Sequence, residues 1–213
     1  MECDEIKLQE NNVAYIFNEV PEWDDYFFKI RENRKLVIDS FLEYFDNGIL
    51  KRLSEKSSPS IGVHIRMSDF RVLKEKEDFS KVGAVRTPLN YFITLINNIR
   101  EVHGSDLDVE VFSDGHKHEL DDILQLPNTK LAEEDSDLGQ ILHLSKSKII
   151  ILSAGSTFGQ WSAFFSEAAI INHYQHFHSY IRDEKTNKKY FEGIVLPNET
   201  LPNLLLQSIK QLS

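Results

Sequence analysis

The chain has 213 residues, enough for one good hydrophobic core or at most two small ones. Hydrophobic content of 41% with 27% charged residues is that of a globular protein and argues against disorder. With 24 Lys and Arg against 34 Asp and Glu, a formal charge of −10, no basic face is left for general nucleic-acid binding, although a few focused groups can still hold one nucleotide diphosphate.

The opening stretch, MECDEIKLQENN, is acidic and polar and does not read as a secretory signal. Cys3 is the only cysteine, so no internal disulfide can form and a reducing, cytoplasmic setting fits. From Asn18 to about Asp46, Phe27, Ile30, Leu36, Val37, Phe41, Tyr44 and Phe45 fall at helical spacing, which predicts one or two amphipathic helices ending near Asn47-Gly48. Residues 54–60, SEKSSPS, read as a polar linker before a strand over 60–65. Residues 70–86 carry many charges without clean periodicity and read as a loop or lid. Thr87-Pro88 then opens a helix, as cap and first-turn proline, that runs to about His103-Gly104.

A second strand is predicted over 108–112, then a short helix over 117–124 and a small strand near 130–132. Residues 135–147 form the next helix, followed by the most apolar strand, 149–152, a helix over 158–167 and a strand over 168–172. A His-rich loop, a charged turn over 182–189, a strand over 193–196 and a helix from Glu199 complete the chain. No apolar run approaches the roughly 20 residues of a membrane span. Strands that are continuously apolar and alternate with helices predict an α/β fold: a Rossmann-like parallel sheet with helices on both faces over 60–213, after a helical lead over 1–59.

Three of the predicted strands end in polar turns: His64-Ile-Arg66-Met-Ser-Asp69, Ser113-Asp114-Gly115 and Ser153-Ala-Gly155-Ser156-Thr157. In a parallel sheet these ends share one edge, where open α/β sheets bind ligands. Arg66 is suited to forking onto a phosphate. Gly155 lets the backbone approach an anion, and Ser156 and Thr157 precede a helix whose free N–H groups favour one. Asp114 can accept hydrogen bonds from ribose or a base edge. The expectation is a nucleotide or nucleotide-sugar site.

Together HIRMSDF (64–70), VFSDGHKHEL (111–120) and DLGQILHLSKSKIIILSAGSTFGQWSAFF (137–165) resemble the three motifs of the alpha-1,2-fucosyltransferase family and its wider GDP-fucose-using superfamily. The likeness covers about residues 60–170 and extends to the predicted helix around Trp23–Tyr44. It implies a GT-B glycosyltransferase of paired Rossmann-like lobes, with this chain as the donor-binding C-terminal half. It also implies GDP-fucose as donor substrate, no metal or other cofactor, and inverting transfer to a glycan hydroxyl. By the same resemblance Arg66 binds the β-phosphate while His64 and Asp69 shape its turn, so Arg66 and Asp69 are the candidate catalytic residues. Ser113 and Asp114 face guanosine, and Gly155, Ser156, Thr157 and Phe158 line the phosphate and sugar pocket; Trp161 matches the family's last Trp. The chain departs from the pattern at Met67, where a second Arg is usual, at Gly155 for Asn, and at Gly159-Gln160 for Ser-Trp. Only 63 residues precede His64, so the N-terminal acceptor lobe is not recognisable, and a second copy or a partner chain could cover that side.

Duller roles stand beside these. Arg66 and Asp69 could be a structural ion pair, Asp114-Gly115 a plain turn, and Ser156-Thr157 a plain helix cap. His173, His176 and His178 do not have zinc-ligand spacing, and Asp135-Ser-Asp137 sits where a helix needs a cap. His116 and His118 fall at a helix start and face solvent. The acceptor base is open among Asp69, Glu75, Glu77 and Asp78, or a residue outside this chain. Two other readings remain: a GDP-sugar-binding module without chemistry, and a metal-dependent transferase using another nucleotide.

Overall fold

The computed structural model describes residues 3–8, 12–17, 27–43, 45–133, 136–196 and 199–212. The chain opens with an antiparallel pair, β1 (Cys3–Leu8) and β2 (Asn12–Phe17), in which Cys3 faces Phe17. The lead is therefore not wholly helical. The period-two pattern Ile6, Leu8 then Val13, Tyr15, Phe17 is the signal that its acidic composition obscures.

Residues 18–26, including Trp23, and Tyr44 lie outside the described residues, so the helix predicted there can be followed only from the turn at residues 27–30. Helix α1 (Arg34–Glu43) follows, then α2 (Asn47–Glu55). Asn47-Gly48 thus starts a helix rather than ending one. The Asp46 carboxylate accepts a hydrogen bond from Gly48 N at 2.7 Å, an N-cap that separates α2 from α1. As a result the linker begins only after Glu55.

From there strand and helix alternate: β3 (Ile61–Ile65), α3 (Leu89–His103), β4 (Val109–Ser113), α4 (Asp121–Leu124), β5 (Thr129–Leu131), α5 (Asp137–Ser145), β6 (Ile149–Leu152), α6 (Thr157–Phe165), β7 (Ala169–Asn172), α7 (Glu184–Asn187), β8 (Glu192–Ile194) and α8 (Asn203–Lys210). The last helix starts four residues later than expected because Pro202 occupies its N-cap position. Strands β3 to β8 form one sheet in the order β5-β4-β3-β6-β7-β8, every pair parallel. This is the Rossmann-like α/β sheet that the strand pattern predicts.

Both faces are covered, which is why β6 reads as an unbroken apolar run and β3 and β7 as nearly so. On one face Ile61, Val63, Ile65, Val109, Val111, Ile149 and Ile151 pack with Phe92, Leu95, Ile96 and Ile99 of α3 and with Leu205 and Ile209 of α8. On the other, Phe112, Ile150, Leu152 and Ile170 pack with Leu144 of α5 and with Ala163 and Phe164 of α6. Arg34 carries α1 onto this second layer: its guanidinium donates to the carbonyls of Phe164 and of Ser166, the latter at 2.7 Å. The turn after α6 is gripped from within by Arg182, which is 1% exposed. Arg182 donates to the carbonyls of Ala168 (2.8 Å) and Phe191 (3.0 Å) and pairs with Glu192 at 3.2 Å. Burial pushes Arg182 down and Glu192 up, each toward its neutral form.

Two outcomes are expected. Arg182→Met leaves Glu192 buried without its cation and should cost about 3–5 kcal/mol in urea unfolding, part of which Arg182→Met/Glu192→Leu recovers. His64 and His173 are both buried, and burial pushes each down to about 4. An unfolded chain takes up these protons near pH 6.5 and the folded one does not, so folding stability holds above about pH 6.5 and falls between there and pH 4. Urea midpoints measured across that range should fall with pH, with a shallower slope for His173→Gln.

Candidate functional site

Because β4, β3 and β6 are adjacent and parallel, their C-terminal ends lie side by side. Ile65 is in register with Ser113, and His64 with Leu152. Two serines lock these ends together. The Ser113 hydroxyl donates to the Ile65 carbonyl at 2.7 Å and accepts from Gly115 N at 3.1 Å. Ser153 Oγ donates to the His64 carbonyl and accepts from Arg66 N, both at 2.8 Å. Ser113 is thus spent on backbone, bracing the turn that carries Asp114.

Arg66 is the centre of the edge. Its Nη1 lies 2.7 Å from Asp114 Oδ2, and its Nη2 lies 2.7 Å from Asp69 Oδ1. The other Asp114 oxygen accepts from Met67 N at 2.7 Å, so this carboxylate is fixed at both ends. Asp69 is different: its side chain is 66% exposed. An ion pair that open to water contributes roughly 0–1 kcal/mol. Asp114 is therefore the permanent partner of Arg66, and Asp69 an exchangeable one. The Phe70 ring lies 5.7 Å from the guanidinium carbon and forms an apolar wall.

His64 and Met67, on either side of Arg66, point away from solvent. His64 is 4% exposed and stacks on Phe158 with ring centroids 5.2 Å apart. Burial pushes its imidazole down to about 4, against the pull of Asp114 and with the help of Arg66, so it is neutral near pH 7. A Cβ on Gly159 would sit 2.8 Å from His64 Nδ1, so glycine there lets α6 close onto the end of β3. Met67 belongs to the core cluster of Ile65, Val111 and Leu120. A second guanidinium at that position would be buried, which is the physical content of the departure from Arg.

The β6 end supplies the turn that leads into α6. Gly155 has φ of 65°, a left-handed conformation natural to glycine, and its Cα faces the Phe70 ring. Ser156 stands at the N-cap position of α6, buried and without a side-chain cap bond; Thr157 is exposed and Phe158 half-buried. Thr87 does not cap α3 as its sequence position predicts. Its hydroxyl accepts from Ala154 N at 3.0 Å, tying the start of α3 to the β6 turn.

The segment over 70–86 folds across this edge. Phe79 is buried and stacks on His173 at 4.8 Å, at the end of β7. Arg71 pairs with Glu77 at 2.6 Å and bridges to Val85, closing the segment at its base. Arg86 was not expected from the sequence, where it looks like one more charge in a charged loop. Its Nε donates to the carbonyls of Met67 (3.0 Å) and Phe70 (2.7 Å), and its Nη1 pairs with Glu119 at 2.6 Å. Glu119 in turn accepts from His116 N at 3.0 Å. The His116 and His118 rings stack on each other at the exposed helix start.

No group of three or more His, Cys, Asp or Glu among the described residues is arranged to hold a metal ion. Asp135 lies outside the described residues; the cap of α5 is Ser136, whose Oγ accepts from Gly139 N at 3.1 Å. No helix among them is long and apolar enough to cross a membrane.

With this geometry in hand, a family model described as Glycosyl transferase family 11 matches residues 5–192. No curated protein matches the chain. The family match takes in all three strand-end turns and the Arg86 brace, and it covers most of the chain. The chain belongs to Glycosyl transferase family 11, the alpha-1,2-fucosyltransferase family.

Proposed function

We propose that the C-terminal edge of β4, β3 and β6 binds GDP-fucose and that the fucose passes to a glycan hydroxyl by an inverting, metal-independent displacement. The observation that carries this reading is Arg66, aimed along the edge between a fixed carboxylate and an exchangeable one. A diphosphate can take the place of Asp69 on Nη2 while Asp114 keeps the guanidinium in position. The N-terminus of α6, reached through the half-buried Gly155 and beginning at the exposed Thr157, adds backbone N–H groups and the positive end of a helix.

In the reaction the acceptor oxygen forms a bond to the anomeric carbon as the bond from that carbon to the β-phosphate oxygen breaks. GDP leaves with the electron pair, stabilised by Arg66 and the helix end. The acceptor proton goes to a carboxylate. Glu77 is committed to Arg71 and to Lys74 N, which hold its carboxyl below the usual range. Asp78 lies 3.1 Å from Lys81. Asp69 is the base we assign, because the incoming diphosphate releases it from Arg66.

A second reading, a GDP-sugar-binding module without turnover, is favoured by Met67, which leaves one guanidinium where the family usually has two. The single Cys3 fits a cytoplasmic setting.

Calorimetric titration with GDP and GDP-fucose, combined with a donor-hydrolysis and transfer assay, separates the two. Binding with turnover supports the transferase; binding alone supports the module. Arg66→Ala should weaken GDP binding by about 1.5–3 kcal/mol, the worth of a charged hydrogen bond, and an unchanged affinity removes the donor site from this edge. Asp69→Asn should leave GDP affinity equal or tighter and lower turnover by about 10²–10⁴-fold, as loss of a general base does. Full turnover in that variant assigns the base elsewhere.

A further inference from the structure

We propose that Arg86 is a positioning residue for the donor site, setting the geometry of the turn that presents Arg66 and Asp69. The inference rests on the donor-site reading for its functional consequence but on bond geometry for its substance.

The turn from Met67 to Phe70 is closed by one backbone hydrogen bond, Phe70 N to Met67 O at 3.0 Å. Arg86 Nε reaches both ends of that turn, the Met67 and Phe70 carbonyls, at 3.0 and 2.7 Å. Asp69 lies between those two carbonyls in the chain, and Arg66 immediately precedes the first. The same guanidinium is oriented by Glu119, which also accepts from His116 N just past the Asp114 turn. The side chain thus joins the turn of β3 to the segment after β4, while the Arg86 backbone N–H donates to the Arg71 carbonyl at 2.9 Å at the base of the overlying loop. Arg86 is half-buried and touches neither Arg66 nor the α6 N-terminus in this network. Its effect on a ligand therefore runs through the turn.

A planar fork is needed for this role. Lys keeps the charge that Glu119 requires but has no rigid array to serve Glu119 and both carbonyls together. Arg86→Lys is the discriminating variant, with Glu119→Gln as a control that keeps both carbonyl bonds. In Arg86→Lys, amide hydrogen exchange at Phe70 should accelerate about tenfold while exchange at Val63 and Ile151 in the core strands stays put, a local opening with the fold intact. The GDP dissociation constant and the donor KM should rise about fivefold, as loss of one net hydrogen bond predicts, with acceptor KM unchanged. Glu119→Gln should leave Phe70 exchange within about twofold of wild type.

If Arg86→Lys exchanges at Phe70 and binds GDP like the wild type, the inference is overturned and Arg86 is a surface ion pair. Global acceleration including Val63 and Ile151 overturns it too, in favour of a general stabilising role. If wild type and Arg66→Ala bind GDP equally poorly, the donor-site reading fails instead, and Phe70 exchange alone decides for or against the bracing of the turn.

Discussion

A sheet covered on both faces favours apolar side chains along its strands, and that constraint organises much of this molecule. Apolar side chains from β3, β4, β6 and β7 fill two helical layers, and the cluster of Arg66, Asp69 and Asp114 lies beyond the strand ends. Parallel connection then puts the ends of three neighbouring strands on one side. Ser113 and Ser153 tie them to the carbonyls of Ile65 and His64, which converts adjacency into fixed spacing. Arg66 lies at the middle of that edge because β3 lies at the middle of β4 and β6.

The frame behind the edge is held by two cations serving carbonyls, Arg182 buried and Arg34 half-buried. Arg34 and Arg182 both bind the connection between α6 and β7, one from the helical lead and one from beneath the sheet edge. That connection follows directly from α6. Holding its C-terminal end fixes the direction in which the helix points, and the packing of Gly159 on His64 fixes its approach at the other end. Rigid elements on both sides leave the exposed Asp69 as the freest group at the edge.

Much of the sheet was legible in the sequence because β3, β6 and β7 are continuous apolar runs bounded by turn residues, a pattern with few alternatives. The three turns were legible as polar strand ends, and the fold brings Arg66, Asp69 and Asp114 together there, while His64 packs inward on Phe158. The antiparallel pair at the N-terminus was not, since acidic residues interrupt its alternation. Asn47-Gly48 was misjudged although its cap, Asp46, is local, because the pair also reads as a helix stop; Thr87 was misjudged because its partner, Ala154 N, lies far along the chain. Arg86 was invisible because its role comes from two carbonyls and Glu119, brought to it only by the fold.

Arg66 enters the folded state already neutralised by two carboxylates. Taking up a polyanion at such a position is an exchange of counter-ions rather than the filling of a bare positive hole, so capture and release differ by less free energy than the formal charges imply.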